Sequence, residues 1–363
     1  MPGRVRPPRH RWSQHSPEPM EAASVPTDPF AKRVTPLSLI SDNILWILFG
    51  AVIAYYLVSD TTQTLDDIKT GLSNGTIWAL IALGYTLVYG IIELINFAHG
   101  EVFMIGSFVS VSIWQTLGVT DATSTMLIIL SIALAMVGAM LACSSLNVMI
   151  ERVAYRPLRN APKLAPLITA IGMSFILQNV GLLWRPTPDA SPDLIGSQKV
   201  LFTFLKVDVL HSDVFAVVIT VPLLIALLWF VGSTRYGKAM RATAQDPDAA
   251  RLMGIDVDRT VGLTFLIGGA LAGAAGLIYA LYNGTIQFNQ GFTAGLIAFT
   301  AAVMGGIGNL KGAVVGGLMI GVIQSISDTH YGQVWTPAIV FAILILIMVF
   351  RPQGLFGEEV REG

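Results

Sequence analysis

The sequence predicts an all-α, polytopic transmembrane helical bundle, and three observations support this fold class. Hydrophobic residues make up 53% of the 363 residues and charged residues only 12%, whereas soluble domains carry roughly a quarter charged residues. Long apolar runs recur along the chain, and most approach the roughly 20 residues that a helix needs to cross a bilayer. The 35 glycines suit close helix packing in lipid. We expect about eight or nine spans, some of them broken or re-entrant.

Three regions divide the chain. Residues 1–43 are predicted to be a disordered basic tail, because they hold eight of the 18 prolines and no periodic apolar pattern. A signal peptide is not predicted, since the basic stretch is too long and no small-residue cleavage site follows the first apolar run. Residues 44–351 are the predicted transmembrane domain, and residues 352–363 are a C-terminal tail.

The apolar runs are the predicted membrane helices. The first run, Ile44–Val58, has about 15 residues and is marginal against the roughly 20 that span a bilayer. The later runs are Leu72–Ile92, Val102–Leu117, Met126–Ile150, Leu164–Trp184, Val214–Val231, Val261–Tyr282, Phe292–Met304, Ala313–Ile326 and Val334–Phe350.

The distribution of Lys and Arg predicts the orientation of these helices. Of the 22 basic residues, 18 fall in the segments 1–43, 152–163, 233–260, 311 and 351–361. Basic residues concentrate in cytoplasmic loops, so we place these segments and both termini in the cytoplasm. The other four basic residues, predicted outside, are Lys69, Arg185, Lys199 and Lys206.

A polar loop, residues 233–260, interrupts the apolar pattern and holds five of the 22 basic residues. Asp246 is a good helix N-cap, Pro247 suits the first helical position, and Gly254 suits a left-handed C-cap. These signals predict a short helix, Pro247–Met253. Two turns are too short to be stable alone, so the helix must be held by its neighbours or by a partner. The alternative is a solvated connector.

Two further interruptions each split a pair of apolar runs: INFAHGE at residues 95–101 and GGIGNLKG at 305–312. Short, Gly-interrupted segments in corresponding positions of two halves indicate a transport site built from broken helices. The alternative is two tight cytoplasmic turns between ordinary spans. The candidate residues of a translocation path are Asn96, His99, Gly100, Glu101, Gly305, Gly306 and Gly308.

Glu101 and His99 are ionisable, and such groups at membrane depth are costly and usually face a cavity. Histidine side chains ordinarily titrate near neutral pH, which makes His99 a candidate proton carrier. The alternatives are that both side chains lie in water at the cytoplasmic rim, or that His99 is a packed, hydrogen-bonded histidine.

Signatures of an enzyme are missing from the sequence, which has no Walker A, Gly-x-Ser-x-Gly, His-Glu-x-x-His or Cys-x-x-Cys pattern. No catalytic residue, metal site or cofactor is therefore predicted, and ATP would have to be hydrolysed by another chain. The single cysteine, Cys143, is predicted to be a buried packing residue. The net charge of −1 does not favour nucleic acid as a partner.

The sequence Asp248-Ala249-Ala250-x-x-x-Gly254 resembles the EAA loop of ABC importer permeases, which docks into a groove of the ATPase subunit. More widely, the chain resembles the permease subunit of the branched-chain amino acid ABC transporter family, in the shorter of its two permease types. Two departures concern the docking contacts: Asp248 stands where the signature has Glu, and the Leu-Pro ending is absent. The stretches that carry the resemblance are RYGKAMRATAQDPDAARLMGID and residues 71–108, 291–322 and 350–357, in the family's order.

The resemblance implies a bacterial inner-membrane complex of two permeases, two cytoplasmic ATPase subunits and an extracytoplasmic solute-binding protein. Leu, Ile and Val are the solutes that the family implies, and urea or short amides are an alternative on the same scaffold. Surrounding membrane lipid is the remaining expected partner. The ATPase-coupling residues implied are Asp246, Pro247, Asp248, Ala249, Ala250 and Gly254.

Two other classes of protein stay open. An ion-gradient-driven secondary transporter would need a buried coupling carboxylate, for which Glu93 and Glu101 are the candidates. A membrane-bound scaffold subunit would transport nothing itself. Neither class explains the capped helix in the polar loop.

Overall fold

The computed structural model describes residues 36–120, 123–159, 161–162 and 164–357, with side chains from Trp46 onward. Most of the predicted N-terminal tail and residues 358–363 of the predicted C-terminal tail lie outside the described residues. Helix α1 covers Pro36–Ser59, so residues 36–43 are helical and do not belong to a disordered tail. Pro36 occupies the first helical position, where its missing N–H and fixed φ are tolerated.

The described chain is mostly helical. After α1, the α-helices are α2 Thr61–Ile92, α3 His99–Leu117, α4 Thr125–Ile150, α5 Leu164–Trp184, α6 His211–Ser233, α7 Arg235–Gln245, α8 Pro247–Leu252, α9 Val257–Asn283, α10 Gln290–Gly305, α11 Leu310–His330 and α12 Thr336–Phe350. Helix α4 continues through a π-helical turn, Glu151–Tyr155, and a 3₁₀ turn, Arg156–Leu158.

The all-α prediction needs one correction, because the described residues also form two small antiparallel sheets. Strand β1 (Asp189–Ala190) pairs with β4 (Thr285–Ile286), and β2 (Val200–Phe204) pairs with β3 (Val207–Leu210) in a hairpin. The β2–β3 segment is rich in aromatic and β-branched residues, a strand signal that the helix-based interpretation overlooked.

Six helices of the described residues are long and apolar enough to cross a membrane: α2, α4 with its extension to Leu158, α5, α6, α9 and α11. Three shorter apolar helices accompany them, Trp46–Ser59 of α1, α10 and α12. The chain is thus a multi-pass membrane protein, but the predicted eight or nine spans are not confirmed by length and composition. A count of nine also conflicts with both termini on one side, which requires an even number of crossings.

Helix α2 begins well before the predicted Leu72. The side chain of Asp60 accepts a hydrogen bond from the backbone N–H of Gln63 at 3.1 Å, which caps the helix at Thr61. The polar residues 61–71 therefore form an extension of the span, and Lys69 and Asp66 lie on it, 3.1 Å apart.

Glycines let the buried helices approach with backbone against backbone. At the α2–α11 crossing, a Cβ on Gly317 would lie 2.5 Å from the Cα of Ala79, and one on Gly321 would lie 2.3 Å from the carbonyl of Gly71. No side chain fits at these positions, as expected for membrane helices whose association depends on small residues.

Helix α9 is held in the same way between α3 and α4. A Cβ on Gly273 would lie 2.5 Å from the carbonyl of Ala139, and one on Gly276 would lie 2.5 Å from the carbonyl of Phe103. Helices α2, α9 and α11 are mostly buried inside the bundle, whereas α4, α5 and α6 leave most of their apolar surface exposed. The bundle therefore has an inner group of glycine-rich helices and an outer group that faces its surroundings.

Ion pairs identify one end of the bundle. Asp258, at the start of α9, pairs with Arg156 at 2.8 Å and with Arg159 at 2.5 Å, which places the α4–α5 connection beside the polar loop. We call this end the basic end; it carries residues 151–159, 234–256, 306–309 and 351–357. The opposite end carries residues 185–210 and 284–289.

The glycine contacts predict opposite effects for two Gly→Ala substitutions. Gly317→Ala places a methyl group against the backbone of α2, so the free energy of unfolding should fall by about 1–3 kcal/mol. Gly172→Ala, on α5, meets nothing within 4 Å and should leave stability unchanged or raise it by up to about 1 kcal/mol. Thermal unfolding of the purified protein in mild detergent measures both. Equal effects of the two changes would contradict the packing at this crossing.

Candidate functional site

The first predicted break is real and lies inside the protein. Helix α2 ends at Ile92, Glu93 adopts the left-handed conformation with φ 52°, and α3 begins at His99. Asn96, His99 and Glu101 are almost fully buried, with at most 2% of any of them exposed. The alternative that His99 and Glu101 lie in water at a rim therefore does not fit the structure.

Asn96 ties the break to the neighbouring helices. Its side-chain amide donates to Asn147 Oδ1 at 3.3 Å, and its Oδ1 accepts from the hydroxyl of Tyr155 at 3.1 Å. Asn147 in turn donates to the carbonyl of Phe265 at 2.6 Å. The π-helical turn after α4 carries Tyr155, and such turns often occur at functional sites. Sequence reasoning found Asn96 but missed Asn147 and Tyr155, which sit in ordinary-looking helical stretches.

His99 is a packed histidine. Its ring lies edge-on to Tyr85 with 5.0 Å between the ring centroids. A Cβ on Gly84 would lie 2.1 Å from His99 Nε2, so the glycine makes room for the ring. Neither ring nitrogen makes a hydrogen bond, although the carbonyl of Ile81 lies nearby. The predicted packed histidine is found, but without the expected hydrogen bond.

Gly100 and Glu101 bring the beginning of α3 against the beginning of α10. A Cβ on Gly100 would lie 2.3 Å from the carbonyl of Gly291 and 2.7 Å from the Cα of Gly295. A Cβ on Gly291 would lie 2.2 Å from Glu101 Oε2. The carboxylate thus reaches the N-terminal turn of α10, where the helix dipole favours negative charge. We call this meeting of the two helix N-termini the α3–α10 junction.

The Glu101 carboxylate is only partly satisfied. Its Oε1 accepts a hydrogen bond from the hydroxyl of Ser174 at 3.4 Å, while Oε2 has no hydrogen-bond partner. Nearby, the side-chain amide of Gln290 donates to the hydroxyl of Ser107 at 2.5 Å. Sequence reasoning missed Ser174, which sits in an ordinary-looking apolar run. The junction combines a buried acidic group, two helix N-termini and neutral hydrogen-bonding groups.

The second predicted break lies at the other end of α10. Gly306 and Gly308 have positive φ angles of 98° and 95°, and Gly305 is the last residue of α10. The 16 residues of α10 separate this break from the α3–α10 junction by about 24 Å along the helix axis. Gly100 and Glu101 therefore lie at the opposite end of α10 from Gly305, Gly306 and Gly308, and the structure does not gather all seven predicted path residues in one place.

The C-terminal residues Pro352–Gly357 close the second break, and we call them the C-terminal cap. The N–H groups of Leu355 and Phe356 donate to the carbonyls of Met304 and Gly305 at 2.8 and 3.3 Å, which are otherwise orphan groups at the end of α10. Asn309 donates from its side-chain amide to the carbonyl of Phe356 at 2.9 Å. This part of the predicted C-terminal tail is thus a packed element of the bundle.

The polar loop contains two helices where one was predicted. Helix α7 begins after Thr234, whose hydroxyl accepts from the N–H of Gly237 at 3.0 Å. Helix α8 begins as predicted: Asp246 Oδ1 accepts from the N–H groups of Asp248 and Ala249, both at 2.9 Å, and Pro247 is the first helical residue. It ends at Leu252, one residue earlier than predicted.

The end of α8 is a Schellman motif built on Gly254. The N–H of Ile255 donates to the carbonyl of Ala250, and that of Gly254 to the carbonyl of Arg251, both at 3.0 Å. Gly254 has φ 83°. Ala250 is buried, whereas Leu252 is 89% and Met253 83% exposed. A fixed short helix at the basic end therefore presents large apolar side chains outward.

The chain is similar to known transport permeases. Residues 68–349 match the family described as branched-chain amino acid transport system / permease component. The chain is 42% identical over 297 residues to the high-affinity branched-chain amino acid transport system permease protein LivH of Salmonella typhimurium, covering 81% of this chain and 96% of the relative. It is 40% identical to the corresponding protein BraD of Pseudomonas aeruginosa, with the same coverage.

A probable branched-chain amino acid transport permease protein LivH of Methanocaldococcus jannaschii is 30% identical over 303 residues, covering 77% of this chain and 88% of the relative. No solved structure matches significantly. The named relatives are transport permeases and not enzymes.

Two substitutions of Asn309 separate its two roles. Asn309 also caps α11, accepting from the N–H of Gly312 at 3.1 Å. Asn309→Ala loses the cap and the bond to Phe356, and should lower the free energy of unfolding by about 2 kcal/mol. Asn309→Asp keeps the capping oxygen and should lose only about half as much. Thermal unfolding in detergent tests the pair, and an Asp variant as stable as the wild type would contradict a role for the C-terminal cap.

Proposed function

We propose that this chain, which belongs to the branched-chain amino acid transport system permease family, is the membrane-spanning subunit of an ATP-driven ABC importer. The observation that carries the ATP-driven part of this proposal is α8. Its N-cap and its Schellman motif fix the short helix. The exposed Leu252 and Met253 of this segment form an apolar surface at the basic end. A surface of this kind favours a protein partner over water.

That partner is a cytoplasmic ATPase subunit. Asp246, Pro247 and Gly254 hold the helix, while Asp248, Ala249 and Ala250 carry the resemblance to the coupling loop of importer permeases. Helix α8 is joined directly to α9, which is packed by glycines between α3 and α4. Movement of α8 on closure of the ATPase pair would therefore reach the centre of the bundle.

The proposed arrangement follows the basic residues. The basic end and both chain termini face the cytoplasm of a bacterial cell, and the opposite end faces outward from the inner membrane. A second permease subunit completes the membrane part, and an extracytoplasmic solute-binding protein delivers the solute to the opposite end. The chain itself holds no Walker A pattern, so the ATPase is a separate subunit.

The proposed solutes are branched-chain or related hydrophobic amino acids. The names of the relatives support this class, as does a bundle interior with few charged groups. Urea or short amides remain an alternative solute on this scaffold.

The α3–α10 junction is the proposed gate of the translocation path. A buried ionisable residue inside a membrane bundle is costly and is usually kept for function. Helix N-termini inside a bundle favour anionic groups, and the partly unpaired carboxylate of Glu101 favours a cationic one, so together they suit a zwitterion. In the described conformation Gly100 lies against α10 and closes the junction. Solute passage would require α3 and α10 to separate there.

A second candidate is an ion-gradient-driven transporter, and the burial of Glu101 is the observation that favours it. Reconstitution of the purified complex into liposomes distinguishes the two classes. An ABC importer takes up L-leucine only with ATP and the ATPase subunits present, and an uncoupler has no effect. Uptake without ATP that an uncoupler abolishes would replace the importer proposal.

Substitution of Gly254 tests the coupling helix. Gly254→Val places a β-branched residue at a left-handed position, which costs on the order of 1 kcal/mol or more, although nothing lies within 4 Å of its Cβ. We expect the ATPase subunits to be lost on purification while the permease stays folded. Gly254→Asn is the matched control, because Asn tolerates this conformation. Normal ATP-driven uptake by the Val variant would remove α8 from the coupling pathway.

Substitution of Glu101 tests the junction. Glu101→Gln keeps the shape of the side chain but removes its charge, and we expect uptake of L-leucine to fall at least about tenfold, a loss of roughly 1.4 kcal/mol. The matched control is Glu93→Gln, an exposed residue of the same break. Uptake kinetics in liposomes and recovery of the intact complex are measured together. Wild-type uptake by the Glu101→Gln variant would exclude Glu101 from the path.

A further inference from the structure

An apolar hairpin at the opposite end of the bundle has no role in the proposed transport. Strand β2 is exposed along its whole length, including Phe202 and Phe204. The turn residues Leu205 and Lys206 have positive φ angles of 49° and 67°, a pair of left-handed residues that tight hairpins need. Leu205 is also exposed. Large exposed apolar groups of this kind mark a surface that something covers.

The hairpin does not project away from the bundle but folds back along its helices. Phe204 and Val207 line one cleft together with Leu72 of α2 and Val217 and Val218 of α6, and its volume is about 530 Å³. Because Leu72 and Val218 line this cleft together with Phe204 and Val207, the hairpin lies beside the sides of the spans rather than above their ends.

The depth of the cleft follows from the length of α6. The helix has 23 residues, about 34 Å at 1.5 Å per residue, which just covers a hydrocarbon core of about 30 Å. Val218 is seven residues after His211, the start of the helix, or about 10 Å along its axis. The cleft therefore lies at the depth of lipid acyl chains.

The polar groups of the cleft are already paired with each other. Lys69 Nζ lies 3.3 Å from Asp213 Oδ2 and donates to the carbonyl of Asp208 at 2.9 Å. Asp213 Oδ2 also accepts from the N–H of Leu210 at 3.0 Å, and the hydroxyl of Ser73 donates to the carbonyl of Lys69 at 3.1 Å. No charged group of the lining is left to bind a polar solute, so the occupant is apolar.

The surroundings identify this occupant as lipid. The cleft opens onto the exposed apolar face of α6, where Val218 and Ile225 continue the same surface. Two exposed basic residues flank it: Lys206 at the hairpin turn, and Lys199, whose carbonyl accepts from the N–H of His211 at 3.0 Å. Lysine side chains of this kind extend toward lipid phosphates while their stems stay in apolar surroundings.

We propose that the cleft between the β2–β3 hairpin, α2 and α6 binds a phospholipid of the outer leaflet. One acyl chain lies between Phe204 and Val218, and the phosphate lies within reach of Lys199 or Lys206. The hairpin is thus an interfacial anchor that fixes the outer ends of α2 and α6 to the bilayer.

A nitroxide spin label at Leu205→Cys tests the position of the hairpin. The intact complex is placed in nanodiscs of phosphatidylethanolamine and phosphatidylglycerol, and collisions of the label with oxygen and with a water-soluble nickel complex are compared. We expect a label accessible to oxygen and shielded from nickel. The matched control is Val334→Cys, an exposed residue between α11 and α12, which should be open to nickel. A label on the hairpin as open to nickel as the control would overturn the proposal and leave the hairpin free to dock a soluble protein.

Lipid counting tests the cleft itself. Val217→Trp fills the cleft, whereas Leu134→Trp, on the exposed face of α4, adds the same side chain away from it. Mass spectrometry of the purified complex should find about one phospholipid fewer per permease in the first variant than in the second. Equal lipid content in two variants of equal thermal stability would overturn the proposal.

Discussion

Close contact between helix backbones is the constraint on which the rest of this structure depends. In lipid, apolar side chains gain little by leaving the solvent, so helices associate through tight packing and hydrogen bonds. Glycines on α2, α9 and α11 allow that packing where a single methyl group would collide with a neighbouring backbone. The inner helices are therefore fixed in register, and the outer helices α4, α5 and α6 can leave apolar faces to the surroundings.

The same packing makes helix breaks possible inside the bundle. A break leaves backbone groups without partners, and within a membrane these groups must be satisfied by the protein. At the first break the Asn96 side chain joins α4 and the π-helical turn. At the second, the C-terminal cap supplies N–H groups to the end of α10. Both breaks are thus anchored to elements distant in sequence, and a movement at either one would be felt across the bundle.

Three regions of the bundle, the basic end, the α3–α10 junction and the opposite end, differ in their physical features. The basic end carries a short capped helix with exposed apolar side chains, the α3–α10 junction holds a buried carboxyl group between helix N-termini, and the opposite end carries an apolar hairpin. Helix α9 follows α8 in the chain and packs against α3, the helix that carries Glu101, so the three features are connected through packed helices.

The sequence by itself determined the membrane class, most helix positions, both breaks, and the start of α8 with its glycine C-cap, because apolar length and capping chemistry are local properties. It also determined the family, through motifs in order along the chain. Only the tertiary structure decided that Glu101 meets α10, that Asn96 bonds to Asn147 and that residues 352–357 close α10. Asn96 and Asn147 are 51 positions apart along the chain, and Glu101 is much farther from α10, so no local pattern encodes these contacts. The separation of Gly100 and Glu101 from Gly305, Gly306 and Gly308 by the length of α10 has the same cause, since chain order does not reveal which helix ends meet.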